Sequence, residues 1–414
     1  MKNSLSHRQI TIITGLRRVG KTTLMFQLID ALLKENVNPF HILYFSFDES
    51  QYALDEILEF YQQEVLQGDI RNHEKIFLFL DEIQKLPQWS EKIKMIYDLY
   101  PNVKITVSGS ASILLFRHSR ESLAGRFFEY TIQPLNFLEF LSFKNVEIDF
   151  QRETIFKTTI ISHLNHFYKT GGFIEAISLN PLLLKKYFRE TLLERVIFKD
   201  IPENFSVKRP ALLLQLVQLV ANQPGMYLDY KNVANDLNVD QRTVAEYITY
   251  LEYSLLIQKL YNFSPNWLTS EKKTKRAYLS NTGFTLAMAE KTEFPVIVEQ
   301  FWINFLAGKY FYRSPQKDEV DLVLKNHQHP LPVEIKLRNK INLKGAKVLF
   351  KFMNRFQIST GLMITLDTEG QFNQNGKTVH LIPYWKYHSI LTFLKANTDI
   401  NTEDPFHFCT HGSV

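Results

Sequence analysis

Gly15-Leu16-Arg17-Arg18-Val19-Gly20-Lys21-Thr22 carries the spacing G-x-x-x-x-G-K-S/T, and each fixed position has a task in holding a polyphosphate. The glycines let backbone N–H groups wrap the phosphates, and a following helix would add its positive N-terminal dipole. Lys21 reaches the outer phosphates, and Thr22 can place its hydroxyl on Mg²⁺. Arg18 inside the loop and Thr23 just after it complete the expected nucleotide-binding set with Gly15, Gly20, Lys21 and Thr22. Further on, Ile76-Phe77-Leu78-Phe79-Leu80 runs into Asp81-Glu82. Asp81 suits the Mg²⁺, and Glu82 stands where a general base could polarise an attacking water. Alone, such a pair fits a solvated strand end equally well; the phosphate loop upstream turns the reading toward hydrolysis. Ser108, ending the run Val103 to Val107, can sense a terminal phosphate at the same edge. Arg117, Arg120 and Arg126 are candidates to stabilise transition-state charge in cis or from a neighbouring subunit, and residue types do not choose among them.

A second set lies near the C-terminus. Asp321 falls in the run Glu319-Val320-Asp321-Leu322-Val323-Leu324, and Glu334-Ile335-Lys336 in a second run, where period-two geometry puts Glu334 and Lys336 on one face. If the two strands are neighbours, Asp321 and Glu334 can share a Mg²⁺ while Lys336 orients or deprotonates a water for attack on a phosphodiester. Glu299, on a preceding helix, could complete the metal shell, and Arg313 could steady a phosphate. A salt-bridged solvent face would spell the same letters. The apolar neighbours Val320, Leu322, Val333 and Ile335 argue instead that one face is buried while the charges gather on the other.

These side chains need elements to position them. Between residues 9 and 132, β-branched and aromatic runs alternate with helical patterns, which predicts an α/β fold with a parallel sheet covered by helices. Residues 134–208 read as helical, with Gly171-Gly172 as the clearest break and Pro181 and Pro202 as helix starts. Residues 210–280 read as three helices and two strands, with Asp229 and Asp240 as N-caps, the order of a winged helix-turn-helix. Gln241, Arg242, Thr243 and Glu246 would then face base edges, and Lys272, Lys273, Lys275 and Arg276 would touch phosphates as a wing. The plainer reading of this block is a packing module whose lysines only solvate a loop. A second α/β region follows. The expected domains are 1–133 for the nucleotide core, 134–208 for the helical connection, 209–282 for the winged helix, 295–396 for the C-terminal α/β domain and 397–414 for a tail.

Composition narrows the classes. The 414 residues exceed one small module, and 45% apolar with 22% charged residues is the ordinary globular mix. A net charge of +5 permits a polyanionic partner without demanding one. No apolar run reaches the ~18 to 20 residues of a membrane span, and Arg17 and Arg18 arrive before a signal-peptide core can form, so an unexported chain with no membrane partner is expected. The single cysteine, Cys409, excludes a disulfide framework and fits a reducing cytoplasm. The histidine pairs His163/His166 and His327/His329 read as loop or helix-surface residues.

The loop Gly15 to Thr23, Leu80-Asp81-Glu82-Ile83-Gln84, and Ser122-Leu123-Ala124-Gly125-Arg126-Phe127 with Pro134-Leu135 together resemble the AAA-type ATPases common in bacteria and archaea. The likeness continues through that family's uncharacterised C-terminal module in Tyr168 to Glu175, Lys199-Asp200-Ile201, Tyr250-Leu251-Glu252, Asn281-Thr282-Gly283 and Glu319-Val320-Asp321. Two departures stand out: the helical lead-in before the first strand is almost absent, and Asn281 stands where the family commonly has Asp. The resemblance implies ATP and Mg²⁺ as cofactors and marks Arg126 as the catalytic arginine of a homo-oligomer. The C-terminal order of helix, three strands, helix and strands, with Asp321 and the Glu334-x-Lys336 step, resembles the PD-(D/E)XK nuclease superfamily. The expected function is ATP hydrolysis coupled to DNA binding and to Mg-dependent phosphodiester cleavage. The alternative is a nucleotide-switched regulatory protein with an inactive nuclease-like domain. A small-molecule kinase is disfavoured because the Asp81-Glu82 pair suits water activation.

Overall fold

The structure, a computed structural model, describes residues 1–48, 52–110, 123–325 and 329–398. The described residues divide into two compact units, one built on Met1–Gln133 with Glu203–Ser206, the other on Pro134–Pro202 and residues 207–398.

In the first unit the apolar runs Ile10–Gly15 (β1), Ile76–Asp81 (β3) and Val103–Ser108 (β4) are buried at every position. Central strands of a parallel sheet with both faces covered demand this. Ile42–Ser46 (β2) and Phe127–Ile132 (β5) complete a five-stranded sheet in the order β2-β3-β4-β1-β5, parallel throughout. Ile10, Ile12, Leu78, Leu80, Ile105 and Val107 pack with Leu54, Ile93 and Ile96 from the helical layer. The carboxyl ends of β1, β3 and β4 therefore share one edge, as the sequence requires for a phosphate site. The α/β class and the parallel sheet are as expected.

The second unit is built on a nine-stranded mixed sheet. The helices Pro210–Asn222, Tyr230–Asp236 and Gln241–Tyr253 come first. Asp229 accepts from the N–H groups of Lys231 and Asn232, and Asp240 from that of Arg242, so both caps form where the sequence puts them. Met226–Tyr227 (β6), Ile257–Asn262 (β7) and Arg276–Leu279 (β8) form an antiparallel group. Tyr310–Arg313 (β9), Glu319–Leu324 (β10), Leu331–Lys336 (β11), Thr360–Thr365 (β12), Gly370–Gln374 (β13) and Lys377–Pro383 (β14) follow. Although the sequence separates residues 209–282 from 295–396, β7 pairs with β9 in parallel through Tyr261↔Tyr310, so one sheet runs through both. The helices Lys157–Thr170, Phe294–Phe305 and Tyr387–Asn397 contribute to one core through Leu164, Trp302 and Leu391, and Lys347–Arg355 to another through Leu349 and Phe352.

The Gly171-Gly172 break and Asn281 turn out to be parts of one joint. Gly171 ends the helix Lys157–Thr170 at φ 56°, and a Cβ there would stand 1.8 Å from Asn281 Oδ1. Asn281 caps its own helix by accepting from Gly283 N–H at 2.8 Å while its amide donates to Gly171 O at 2.8 Å. The second bond needs an amide, which explains Asn in place of Asp here.

Candidate functional site

β1 delivers the chain into the phosphate loop. Gly15 takes φ 145°, where a Cβ would lie 2.4 Å from Ile132 O, so the close pass of β5 requires glycine. Gly20, at φ 97°, caps the helix Lys21–Lys34, whose first N–H groups face the loop. Lys21 is buried, with Nζ donating to Gly15 O at 3.2 Å and Leu16 O at 2.9 Å. Its ammonium is thus stored on the carbonyls of the loop itself. Arg18 is exposed in the left-handed region at φ 62°, and Thr23 is exposed in the first helical turn.

Asp81 is the hub of the edge. It is 2% exposed and accepts from Thr22 Oγ1 at 2.6 Å, from Tyr44 Oη at 3.2 Å, from the Glu82 N–H at 3.0 Å and from Ser108 Oγ. Four sequence-predicted residues, Thr22, Asp81, Glu82 and Ser108, are therefore brought together. Burial, reinforced by the Asp81 charge, pushes the Tyr44 phenol up to about 12, so it stays a donor across the working pH range. Tyr44, at the middle of β2, was not singled out in the sequence; only the register Ser46↔Asp81 reveals it. Glu82 is held at φ 51° with Gln84 Nε2 donating to its Oε2 at 2.5 Å. A non-glycine residue in this region costs of order 1 kcal/mol or more and persists where neighbours over-determine it. Thr22 and Asp81 offer a hydroxyl and a carboxylate to one Mg²⁺, and Lys21 supplies a movable positive charge. The donor set fits a nucleotide triphosphate with its metal.

Arg126 does not join this group within the chain. It precedes β5, whose Phe127 pairs with Ile10 at the start of β1, while Ile132 pairs with Gly15 at its end. Five strand residues, about 17 Å at ~3.3 Å each, separate it from the loop. Its guanidinium pairs instead with Asp98 at 3.3 Å and lies 6.0 Å over the Tyr97 ring. Within this chain Arg126 therefore stands apart from the phosphate loop. Arg117, Arg120, Ser122, His327 and Cys409 lie outside the described residues.

In the second unit, β10 and β11 are antiparallel neighbours through Leu322↔Val333, which brings Asp321 level with Glu334. Asp321 Oδ2 accepts from the Ile335 N–H at 2.8 Å. Burial raises both carboxyls above the usual carboxylate range, reinforced at Asp321 by the charges of Glu334 and Glu299 and at Glu334 by that of Glu299, against the opposing pull of Lys336 and Arg276. Lys336 Nζ donates to Gly345 O at 3.1 Å. Glu299, however, is engaged by Tyr278 Oη at 2.6 Å and by Arg276 Nη2 at 3.1 Å, and Arg276 Nη1 lies 3.9 Å from Asp321. Among the described residues no three acidic, histidine or cysteine side chains gather as a metal-holding group. The carboxylates are close, but a guanidinium is already among them.

This corrects the expected wing. Arg276 is not offered to phosphate: its side chain is 11% exposed and pairs with Glu299 at 3.1 Å. Lys275 pairs with Glu271 at 3.2 Å and Lys273 donates to Phe263 O at 3.5 Å, leaving Lys272 as the exposed one of the three lysines. Arg313 pairs with Glu319 at 3.0 Å and stacks 4.4 Å over Tyr227. On the helix Gln241–Tyr253, Gln241, Arg242 and Glu246 are exposed and Thr243 is half-buried.

The parallel sheet, the phosphate loop and the Asp81-Glu82 edge define a P-loop nucleotide-binding domain, and residues 7–141 match the family described as AAA domain. Residues 162–294 and 297–387 match two families each described as a domain of unknown function. An uncharacterised protein of Methanocaldococcus jannaschii is 27% identical over 92% of this chain and 88% of its own length, and a second from the same organism is 28% identical over 86% and 80%. An uncharacterised protein of Haemophilus influenzae is 28% identical over 60% of the chain and 62% of its own. Among solved structures, the Aeropyrum pernix ORC1 protein in complex with DNA aligns at TM-score 0.29 and 14% identity, covering 70% of this chain and 90% of that one. The Bacillus subtilis DNA clamp loader delta protein aligns at 0.27 and 12%, covering 61% and 86%.

Proposed function

We propose that this protein hydrolyses ATP at the β1–β3–β4 edge and uses nucleotide state to control binding of nucleic acid, chiefly DNA, by residues 210–280. The observation that carries the reading is the 2.6 Å bond from Thr22 to Asp81, which joins the phosphate loop to the acidic strand end. Thr22 and Asp81 would hold Mg²⁺, whose charge neutralises the phosphates. Lys21 exchanges its two carbonyl acceptors for phosphate oxygens. Glu82, fixed by Gln84, accepts the proton of the attacking water, and Ser108 contacts the terminal phosphate beside Asp81. Arg126, at the far end of the strands, serves the site of a second copy in a homo-oligomer.

The capped helix Gln241–Tyr253 is read as the recognition helix of a winged helix-turn-helix. Its exposed Gln241 and Arg242 meet the nucleic acid, with Lys272 on the phosphates. For the C-terminal set, the ion pair of Arg276 with Glu299 favours the regulatory reading, in which Asp321, Glu334 and Lys336 belong to a nuclease-like domain that does not cut while the arginine stays in place. Among the described residues no helix is long and apolar enough to cross a membrane.

ATP turnover by purified protein tests the core of this reading. Lys21→Ala should lose nucleotide binding and turnover together. Glu82→Gln should keep binding and lose turnover by about 10²- to 10⁴-fold, the usual contribution of a positioned general base. Undiminished turnover in Glu82→Gln would remove Glu82 from its role, and no turnover in the wild type would remove the hydrolase.

A further inference from the structure

The carboxylate cluster of the second unit contains its own cation. Arg276 enters from β8 and is held from three directions: Nε donates to Gly225 O at 2.8 Å, Nη2 to Glu299 at 3.1 Å, and the guanidinium carbon lies 5.2 Å and 5.7 Å from the Tyr278 and Phe311 ring centres. Gly225 makes the room. It sits at φ 81°, and a Cβ there would stand 2.4 Å from Arg276 Nη2 and 2.6 Å from Tyr278 Oη. Two buried atoms of the cluster make no hydrogen bond: Arg276 Nη1, still facing Asp321 at 3.9 Å, and Glu334 Oε2. An acceptor on a buried carboxylate without a donor is costly and points to a ligand. A rigid fork is suited to carboxylates and is hard to displace once desolvated.

We propose that Arg276 occupies the place of a divalent cation among Glu299, Asp321 and Glu334, and that a metal ion binds these carboxylates only when the guanidinium is withdrawn. This rests on reading the domain as PD-(D/E)XK-like. β8 starts directly after Lys275, so displacement of the hairpin that carries the lysines would also draw Arg276 from the cluster.

The test is Mn²⁺ binding to the full-length, nucleotide-free protein, followed by calorimetry and by the Mn²⁺-dependent rise in melting temperature. Wild type, Arg276→Gln and the double variant Arg276→Gln with Glu334→Gln share the same phosphate-loop background. Arg276→Gln should gain a site at least about tenfold tighter than any the wild type shows at this cluster, and stabilise on adding Mn²⁺. The double variant should lose that gain. Should Arg276→Gln fail to fold, Gly225→Ala, whose Cβ collides with Nη2, should produce the same gain. Equal Mn²⁺ binding in wild type and Arg276→Gln, removed by Glu334→Gln, would overturn the role of the arginine while keeping the metal site. No binding at the cluster in any folded variant would overturn both.

Discussion

Asn281 carries two bonds of opposite sense, accepting from Gly283 and donating to Gly171. Asn281→Asp keeps the cap and removes the donor, leaving a carbonyl without its partner. We expect a loss of about 1 to 3 kcal/mol in chemical denaturation, the usual cost of an unsatisfied buried polar group. Lys104 is the odd residue in β4: buried at 2% exposure, it donates to Gln9 O, and burial with the nearby Lys75 lowers its ammonium to about 8. The unfolded lysine keeps 10.5, so between about 8 and 10.5 the unfolded chain binds more protons and stability rises with pH. Below about 8 the penalty is fully present. Denaturation of wild type against Lys104→Met across pH 7 to 10.5 should show the variant ahead at neutral pH and the gap closing as pH rises; a constant gap would contradict the assignment. The phosphate-loop residues were legible because each has one task that few residue types perform. Arg276 was not, since beside three lysines it reads as one more phosphate contact, and only the β8 register turns it inward.

At the scale of elements, the capped helices were legible because Asp229 and Asp240 each precede a 3.6-period apolar run and use their carboxylates as the pattern demands. β13 was missed. Its residues Gly370–Gln374 are mostly exposed and offer no apolar alternation, so the only signal was Asn375-Gly376, whose φ values of 51° and 71° make the tight hairpin into β14. The pairing of β7 with β9 was equally hidden, because long-range parallel pairing leaves no mark in local periodicity. If Gln241–Tyr253 is the recognition helix, Arg242→Ala should weaken DNA binding by about tenfold, in line with ~1 to 3 kcal/mol for a base contact, with an unchanged melting temperature because the Asp240 cap uses only the backbone of residue 242. Fluorescence anisotropy on a labelled duplex gives the number. Unaltered affinity would assign the helix to packing.

For the molecule as a whole, the proposed function requires that the state of the nucleotide at Lys21, Thr22, Asp81 and Glu82 be felt by the proposed nucleic-acid-binding residues 210–280. Such coupling must appear as an affinity ratio, since a ligand shifts an equilibrium only by its differential affinity for the two states. The most direct measurement is the DNA affinity of Glu82→Gln, which should hold ATP without consuming it, with ATP, with ADP and with no nucleotide, at one fixed salt concentration. A change of about tenfold or more between the ATP and nucleotide-free forms, equivalent to ~1.4 kcal/mol of coupling, is the predicted result. Identical affinities in all three states, with ATP binding verified in the same samples, would contradict it.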